Sequence, residues 1–285
     1  MADASAAPAR AGFALPAGLW IAPPALLVGG LFFYPLALIA SAALHGENGA
    51  FAPQSVLAVI NSRYFLNGLI NTAEIAVAST AGCLIVGLTM GIILAFAPFP
   101  GAKLAARLIE SFIALPTFLV TLAFSFIYGS AGILNGALVG AFGLSTPPVD
   151  FLYSMGGVVL AEVTVYSPFV LRPLLAAFSQ IDKAQLEVAS LLGAKPWLII
   201  RRIILPAAAP TLLAAGSLCL LLTVNEFGIV LFIGAKGVIT LPLLIYDKAI
   251  QESDYQTACA IAIINVALSL TLFGIYRNIA KRLGA

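Results

Sequence analysis

Glu74, Glu110, Glu162 and Glu226 each lie inside a long apolar run of this chain. A carboxylate facing hydrocarbon is costly, so each must face a cavity or a partner group. Such acids could carry a proton, hold a cation or accept hydrogen bonds. Covalent chemistry needs more, a nucleophile beside a base or a metal set, and the one histidine, His45, sits in a loop. That removes a metal site built on paired histidines and an HExxH intramembrane protease. Cys83, Cys219 and Cys259 lie far apart within apolar blocks and form no CxxC pair, so they read as buried thiols rather than a disulfide framework.

The elements that must position these acids are membrane spans. Of the 285 residues 61% are hydrophobic and 9% charged, against about 25% charged in ordinary soluble domains. The net charge of +2 is too small to suggest a nucleic-acid partner. Crossing the hydrocarbon takes about 20 residues. Six blocks qualify: Gly18–Leu44, Ile70–Phe96, Leu108–Tyr128, Met155–Ala177, Ala207–Ile233 and Cys259–Tyr276, the last with a possible start at Tyr255. Gly18–Leu44 is too long for the core of a signal peptide. Ile133–Leu144 is short and Gly-rich, and reads as an interfacial or re-entrant segment. Residues 1–17, rich in Ala and Pro, read as a disordered tail.

Six spans put both termini on one side. With the N-terminus inside, eleven of the fourteen Lys and Arg residues fall inside, and only Arg63, Lys236 and Lys248 fall outside. The positive-inside rule therefore makes both termini cytoplasmic. Glu74, Glu162 and Glu226 then come out in the outer half of the bilayer. Glu110 falls within a turn of the cytoplasmic end, beside Arg107, where a salt bridge would account for it.

Between the fourth and fifth blocks runs a polar stretch, Asp182 to Pro206. Asp182 suits an N-cap, with Gln185 three residues on to return the bond. Gly193 suits the left-handed residue that closes a helix, and Pro196 the first position of the next. A separate helix over Lys183–Leu192 is expected at a loop tip on the cytoplasmic side. Pro168 and Pro173 should kink the fourth span, and Arg172 at its end can snorkel to the headgroups.

Glu187, Ala189, Gly193, Ile203, Leu205 and Pro206 fall at the spacing of the EAA loop, and the chain resembles the type I ABC-importer permeases that carry it. One departure is Val188, where the motif has Ala. The segments Pro168–Leu174, Asn225-Glu226-Phe227-Gly228 and Thr240–Leu243 resemble the sulfate/molybdate-like branch, and the run from Asn225 to Ala258 looks most like permeases for 2-aminoethylphosphonate. The resemblance implies an all-α polytopic membrane protein: a first helix and outer loop over 18–69, then a five-helix permease core over 70–285 with a cytoplasmic coupling loop over 178–206. It implies bacterial inner-membrane residence, two ATPase subunits, a second permease subunit (a distinct chain or a second copy) and a periplasmic or lipid-anchored solute-binding protein.

On the same resemblance Glu187, Ala189, Gly193, Ala194 and Lys195 are the ATPase-coupling residues, and Asn225, Glu226, Phe227 and Gly228 belong to the substrate pathway or its gate; Glu162, as an acid inside an apolar run, is a candidate for the same pathway. For Glu226 and Glu162, a buried carboxyl bonded to neighbouring helices is the other reading. No cofactor or metal is expected in this chain. Gly234–Gly237 lacks a surrounding GxxxxGK[ST] pattern, so ATP and Mg would belong to the partner ATPase. The outer segments Gly46–Asn67, Gly129–Ser154 and Gly234–Asp254 would meet the binding protein, with Asp247, Glu252 and Asp254 either a docking rim or a solvated acidic face. Sulfate, molybdate, polyamine, thiamine and iron importers share the architecture. An ion-coupled carrier is the rival class, and no internal repeat supports it.

Overall fold

The computed structural model describes residues 17–45, 51–97 and 99–282. The tail expected over residues 1–17 lies outside them except for Ala17. Helices account for nearly all of the described chain: α1 Ala17–Val28, α2 Tyr34–Leu44, α3 Gln54–Ile60, α4 Arg63–Phe96, α5 Ala102–Ser111, α6 Thr117–Tyr128, α7 Ile133–Phe142, α8 Met155–Phe178, α9 Lys183–Leu191, α10 Pro196–Ile199, α11 Leu205–Val224, α12 Gly228–Ile233, α13 Leu241–Tyr246 and α14 Tyr255–Arg282. Among the described residues six stretches are long and apolar enough to cross a membrane: Trp20–Leu44, Arg63–Phe96, Thr117–Phe142, Met155–Phe178, Pro196–Val224 and Tyr255–Ile279.

α8 is the central helix, lined on one flank by α4 and on another by α11. Lipid offers no hydrophobic drive for helices to associate, so close backbone approach has to hold them. Gly82 and Gly87 of α4 provide it. A Cβ at Gly82 would lie 2.5 Å from Val163 Cγ2, and one at Gly87 2.7 Å from Val170 Cβ. α8 runs unbroken through Pro168 and Pro173. A second, smaller cluster joins α2, α3 and α13 to α14 through Ala43, Val59, Leu241 and Ile261.

Two expected spans are cut differently, each for a local reason. The block Leu108–Tyr128 is not one helix: α5 ends at Ser111, a 3-10 turn covers Phe112–Ala114, and α6 starts at Thr117. Pro116 holds Leu115 extended (φ −83°, ψ 132°), as a residue before proline prefers. Glu110 therefore sits on a separate amphipathic helix, and its expected bond to Arg107 is not formed; the ion pair among the described residues is Lys248–Glu252 at 2.6 Å. The block Ala207–Ile233 also divides. Its helix starts at Pro196, passes a π turn over Ile200–Ile204, stops at Val224, and resumes as α12.

Boundaries elsewhere move outward. α4 starts at Arg63, seven residues before the expected Ile70, because Ser62 caps it, its side chain accepting from Phe65 N at 3.4 Å. α14 starts at Tyr255, with Asp254 Oδ1 accepting from Thr257 N at 3.1 Å. Ile133–Phe142 is a distinct ten-residue helix after the break at Gly129–Gly132.

Candidate functional site

The polar stretch folds as its capping residues dictate. Asp182 Oδ1 accepts from Ala184 N at 2.9 Å and starts α9. The cap is one-sided, since the Gln185 side chain forms no bond back to Asp182 among the hydrogen bonds of the described residues. Gly193 closes the helix at φ +80°, a conformation that carries no Cβ penalty only in glycine. Its N–H bonds Ser190 O, and Ala194 N bonds Ala189 O, both at 3.0 Å. Lys195 is extended ahead of Pro196, which opens α10.

Backbone satisfied in this way leaves side chains free for a partner. Leu186 packs on the core. Glu187, Gly193 and Lys195 are exposed, and Ala189 and Ala194 half-buried. Val188, Leu191, Leu192 and Trp197 stand out into the open, Leu191 at 86% and Leu192 at 83% exposure. Sequence reasoning missed this ridge of large apolar groups. Its signal was the i, i+3, i+4 spacing of Val188, Leu191 and Leu192, which puts all three on one helix face.

The helix from Pro196 to Val224 is about 43 Å long at 1.5 Å per residue, so its far end lies across the bilayer from α9. There the chain breaks at Asn225–Phe227, and side chains take over from the helical ladder. Glu226 is buried at 7% exposure. Its Oε1 accepts from Ile229 N at 2.8 Å, which caps α12, and its Oε2 accepts from the Tyr166 hydroxyl of α8. Asn225 Nδ2 donates to Leu221 O at 2.8 Å and to Ser269 Oγ at 3.1 Å, while its Oδ1 accepts from Asn265 Nδ2 at 3.1 Å. The break is thus held to α8 by one residue and to α14 by its neighbour. Phe227 packs against Tyr246 at 5.2 Å between ring centroids. A Cβ on Gly228 would come 3.1 Å from Thr117 Oγ1 of α6.

Glu162 lies on α8 one turn before Tyr166. It is fully buried, and among the described residues its carboxyl oxygens make no hydrogen bond at ordinary distance; the Ser79 hydroxyl of α4 is the polar group beside it. The structure therefore brings Glu162, Tyr166 and Glu226 into one neighbourhood and keeps the α9 residues apart from them. Glu74 is not in either group: it is exposed on the outer face of α4. Tyr166, Asn265 and Ser269 were not foreseen, although Asn265 and Ser269, four residues apart in an apolar block, mark a polar stripe on one helix face. Among the described residues no cluster of three or more His, Cys, Asp or Glu could hold a metal ion.

A bundle of apolar helices, broken near one side and carrying a capped, exposed helix on the other, has the architecture of an importer permease. Residues 87–285 match the binding-protein-dependent transport system inner membrane component family, and the chain belongs to it. It is a transport subunit of the inner membrane rather than an enzyme. It is 59% identical over 266 residues to PhnU of Salmonella paratyphi A, provisionally named a 2-aminoethylphosphonate transport system permease protein, covering 93% of this chain and 92% of that one. The sulfate transport system permease protein CysT of Escherichia coli K12 is 30% identical over 202 residues, 70% of each chain. The fold matches a chain of a bacterial ABC transporter that imports the acidic polysaccharide alginate, with a TM-score of 0.78 at 17% identity, over 93% of this chain and 95% of that one.

Proposed function

We propose that this chain is the permease of an ATP-driven importer of 2-aminoethylphosphonate. The observation that carries the substrate is the 59% identity to PhnU over nearly the whole of both chains; identity to the sulfate permease falls to 30% over 70%. Two ATPase subunits, which bind the ATP and Mg, act on α9 from the cytoplasm. Glu187 and the exposed Val188, Leu191 and Leu192 form the mechanical contact, Ala189, Ala194 and Lys195 shape its edge, and Gly193 sets the turn. A second permease subunit completes the path, and a solute-binding protein delivers substrate to the outer loops.

The outer gate is the broken segment Asn225–Gly228. Glu226 serves it through its hold on α12 and Tyr166, and Asn225 through its hold on α14. Glu162 lies behind the gate, next to Tyr166. The Pro196–Val224 helix runs from α9 to the gate, and the ATPase stroke reaches the gate along it.

Affinity purification of the tagged chain from its native membrane tests this reading. An ATPase and a second permease should come with it, and vesicles holding the complex should take up labelled 2-aminoethylphosphonate faster than sulfate or molybdate. A chain that purified alone and moved solute in liposomes would promote the ion-coupled carrier instead. A complex that assembled but preferred sulfate would overturn the substrate alone.

A further inference from the structure

Beneath α9, on the side away from its exposed leucines, lies a groove of about 1000 Å³. Its floor and walls are mostly apolar: Phe96 and Phe178, whose rings are tilted at 5.2 Å, with Leu94, Phe99 and Leu175. Leu186 closes it from α9. Two lysines stand at the rim, Lys103 of α5 and Lys183 of α9, both exposed and neither in an ion pair among the described residues. Glu187 is the one acid among the lining residues. Arg107, one turn beyond Lys103, adds a further positive charge on α5.

The position of the groove limits what can fill it. It lies where α4 ends at Phe96 and α8 at Phe178, the level at which two membrane spans leave the bilayer. α5 confirms that level independently. Leu104 and Leu108 project outward from it at 62% and 58% exposure, with Lys103 and Arg107 beside them. A short helix with leucines on one face and basic residues flanking them lies in the headgroup plane. Water is a poor occupant of apolar walls. A void under α9 would also transmit no force, because packed atoms are what carry a displacement.

We propose that this groove binds an anionic phospholipid of the cytoplasmic leaflet, with its phosphate between Lys103 and Lys183 and an acyl chain along Phe96, Phe99, Phe178 and Leu186. The lipid braces α9 against the bundle, so that the ATPase moves the spans rather than the loop alone. This rests on the reading of α9 as the coupling helix, which sets the groove on the cytoplasmic side.

The test uses the assembled transporter in nanodiscs of phosphatidylcholine with or without phosphatidylglycerol, read by native mass spectrometry and by substrate-stimulated ATP hydrolysis. The intact complex retains phosphatidylglycerol selectively and hydrolyses faster in its presence. Lys103→Gln or Lys183→Gln lowers retention about fivefold each and the pair about thirtyfold, as loss of a basic contact to an anionic surface predicts. Ala97→Trp, which puts an indole into the groove with both lysines in place, lowers retention while the ATPase still co-purifies. Equal retention in all variants, or no preference over phosphatidylcholine, overturns the proposal. So does a partner subunit that cross-links to Ala97→Cys and leaves no room for lipid. If the ATPase fails to co-purify while lipid retention still tracks the two lysines, the coupling reading fails and the lipid site stands.

Discussion

At the α9 end, Leu191 and Leu192 face outward over a turn whose backbone is capped by Asp182 and closed by Gly193. At the other end of the 29-residue Pro196–Val224 helix, the polar side chain of Glu226 is buried and bonded, and the backbone is what has come undone. One end satisfies its backbone and leaves apolar side chains without partners. The other spends polar side chains on an interrupted backbone. The first arrangement suits docking to another protein, since exposed leucines gain by burial. The second suits a hinge, since two residues in a row, Asn225 and Glu226, anchor the break to different helices and either anchor can give way alone.

The sharpest way to break this contrast is to make the outward leucines polar. Leu191→Asp with Leu192→Asp should cost about 2 kcal/mol of partner binding at each residue, the scale of interface anchors, or about a thousandfold together. ATPase retention in a pull-down reads it. The permease's own thermal midpoint should hold, because exposed substitutions away from caps and core move stability by about 0.5 kcal/mol or less. A variant that lost its fold along with the ATPase would show that the ridge packs within the chain.

The complementary change is Glu226→Ala. It leaves the Tyr166 hydroxyl and the Ile229 N–H buried without an acceptor, at about 1–3 kcal/mol each. A fall in thermal stability of about 3 kcal/mol is expected in detergent, with ATPase retention intact. Glu226→Gln keeps one acceptor, enough for the Ile229 N–H or the Tyr166 hydroxyl but not for both, and should recover about half of that loss. If Glu226→Gln abolished uptake while stability was partly restored, the carboxylate would have a role in the path beyond holding α12.

These two ends were unequally legible. Around α9 the signals are local: Asp182, Gly193 and Pro196 each act within a turn, so residue types alone placed the helix to within a residue. The helix break at Asn225 was missed because the apolar residues on either side, up to Val224 and from Ile229 to Ile233, carried the block across Asn225-Glu226. What stops the helix is a set of bonds to Tyr166, Asn265 and Ser269, which lie 40 to 60 residues away in sequence. The division at Ser111–Thr117 could have been read from Pro116, whose effect on Leu115 is local, but the hydropathy of the block outweighed it. Glu162 shows the remaining gap. Its burial followed from its place in an apolar run, whereas the polar group beside it depends on how α4 packs on α8.

Gly193→Ala is a finer probe of the capped end. A Cβ in the left-handed region costs about 1–2 kcal/mol, and nothing lies within 4 Å of the position a Cβ would take, so the effect is conformational rather than steric. Assembly with the ATPase should survive, while substrate-stimulated hydrolysis falls several-fold, since α9 would meet the ATPase at an altered angle. Unchanged stimulation would mean that the ridge matters and the angle does not.

The smallest effect expected is at Asp247, a half-buried acid near the polar end whose donor, Gln251, is at the surface rather than buried. Its pKa is raised, by partial burial first and then by Glu252, with Lys248 acting against both. Gln251 Nε2 donates to its Oδ1 at 2.6 Å, a bond that an asparagine at the same place would still accept. A raised carboxyl pKa means that the folded chain holds its proton more tightly than the unfolded one. Stability contributed by this group is therefore greatest at low pH and declines as pH rises from the unfolded value through the folded one. Because the group is only partly buried, solvent screening keeps the change to about a few tenths of a kcal/mol. Asp247→Asn should remove that decline and leave the protein marginally more stable at neutral pH, in contrast to the loss expected from removing the Glu226 carboxylate. Paired melting curves at pH 4 and pH 7 measure it. A destabilised Asp247→Asn at pH 7 would mean that this carboxylate, like that of Glu226, is held by donors that need its charge.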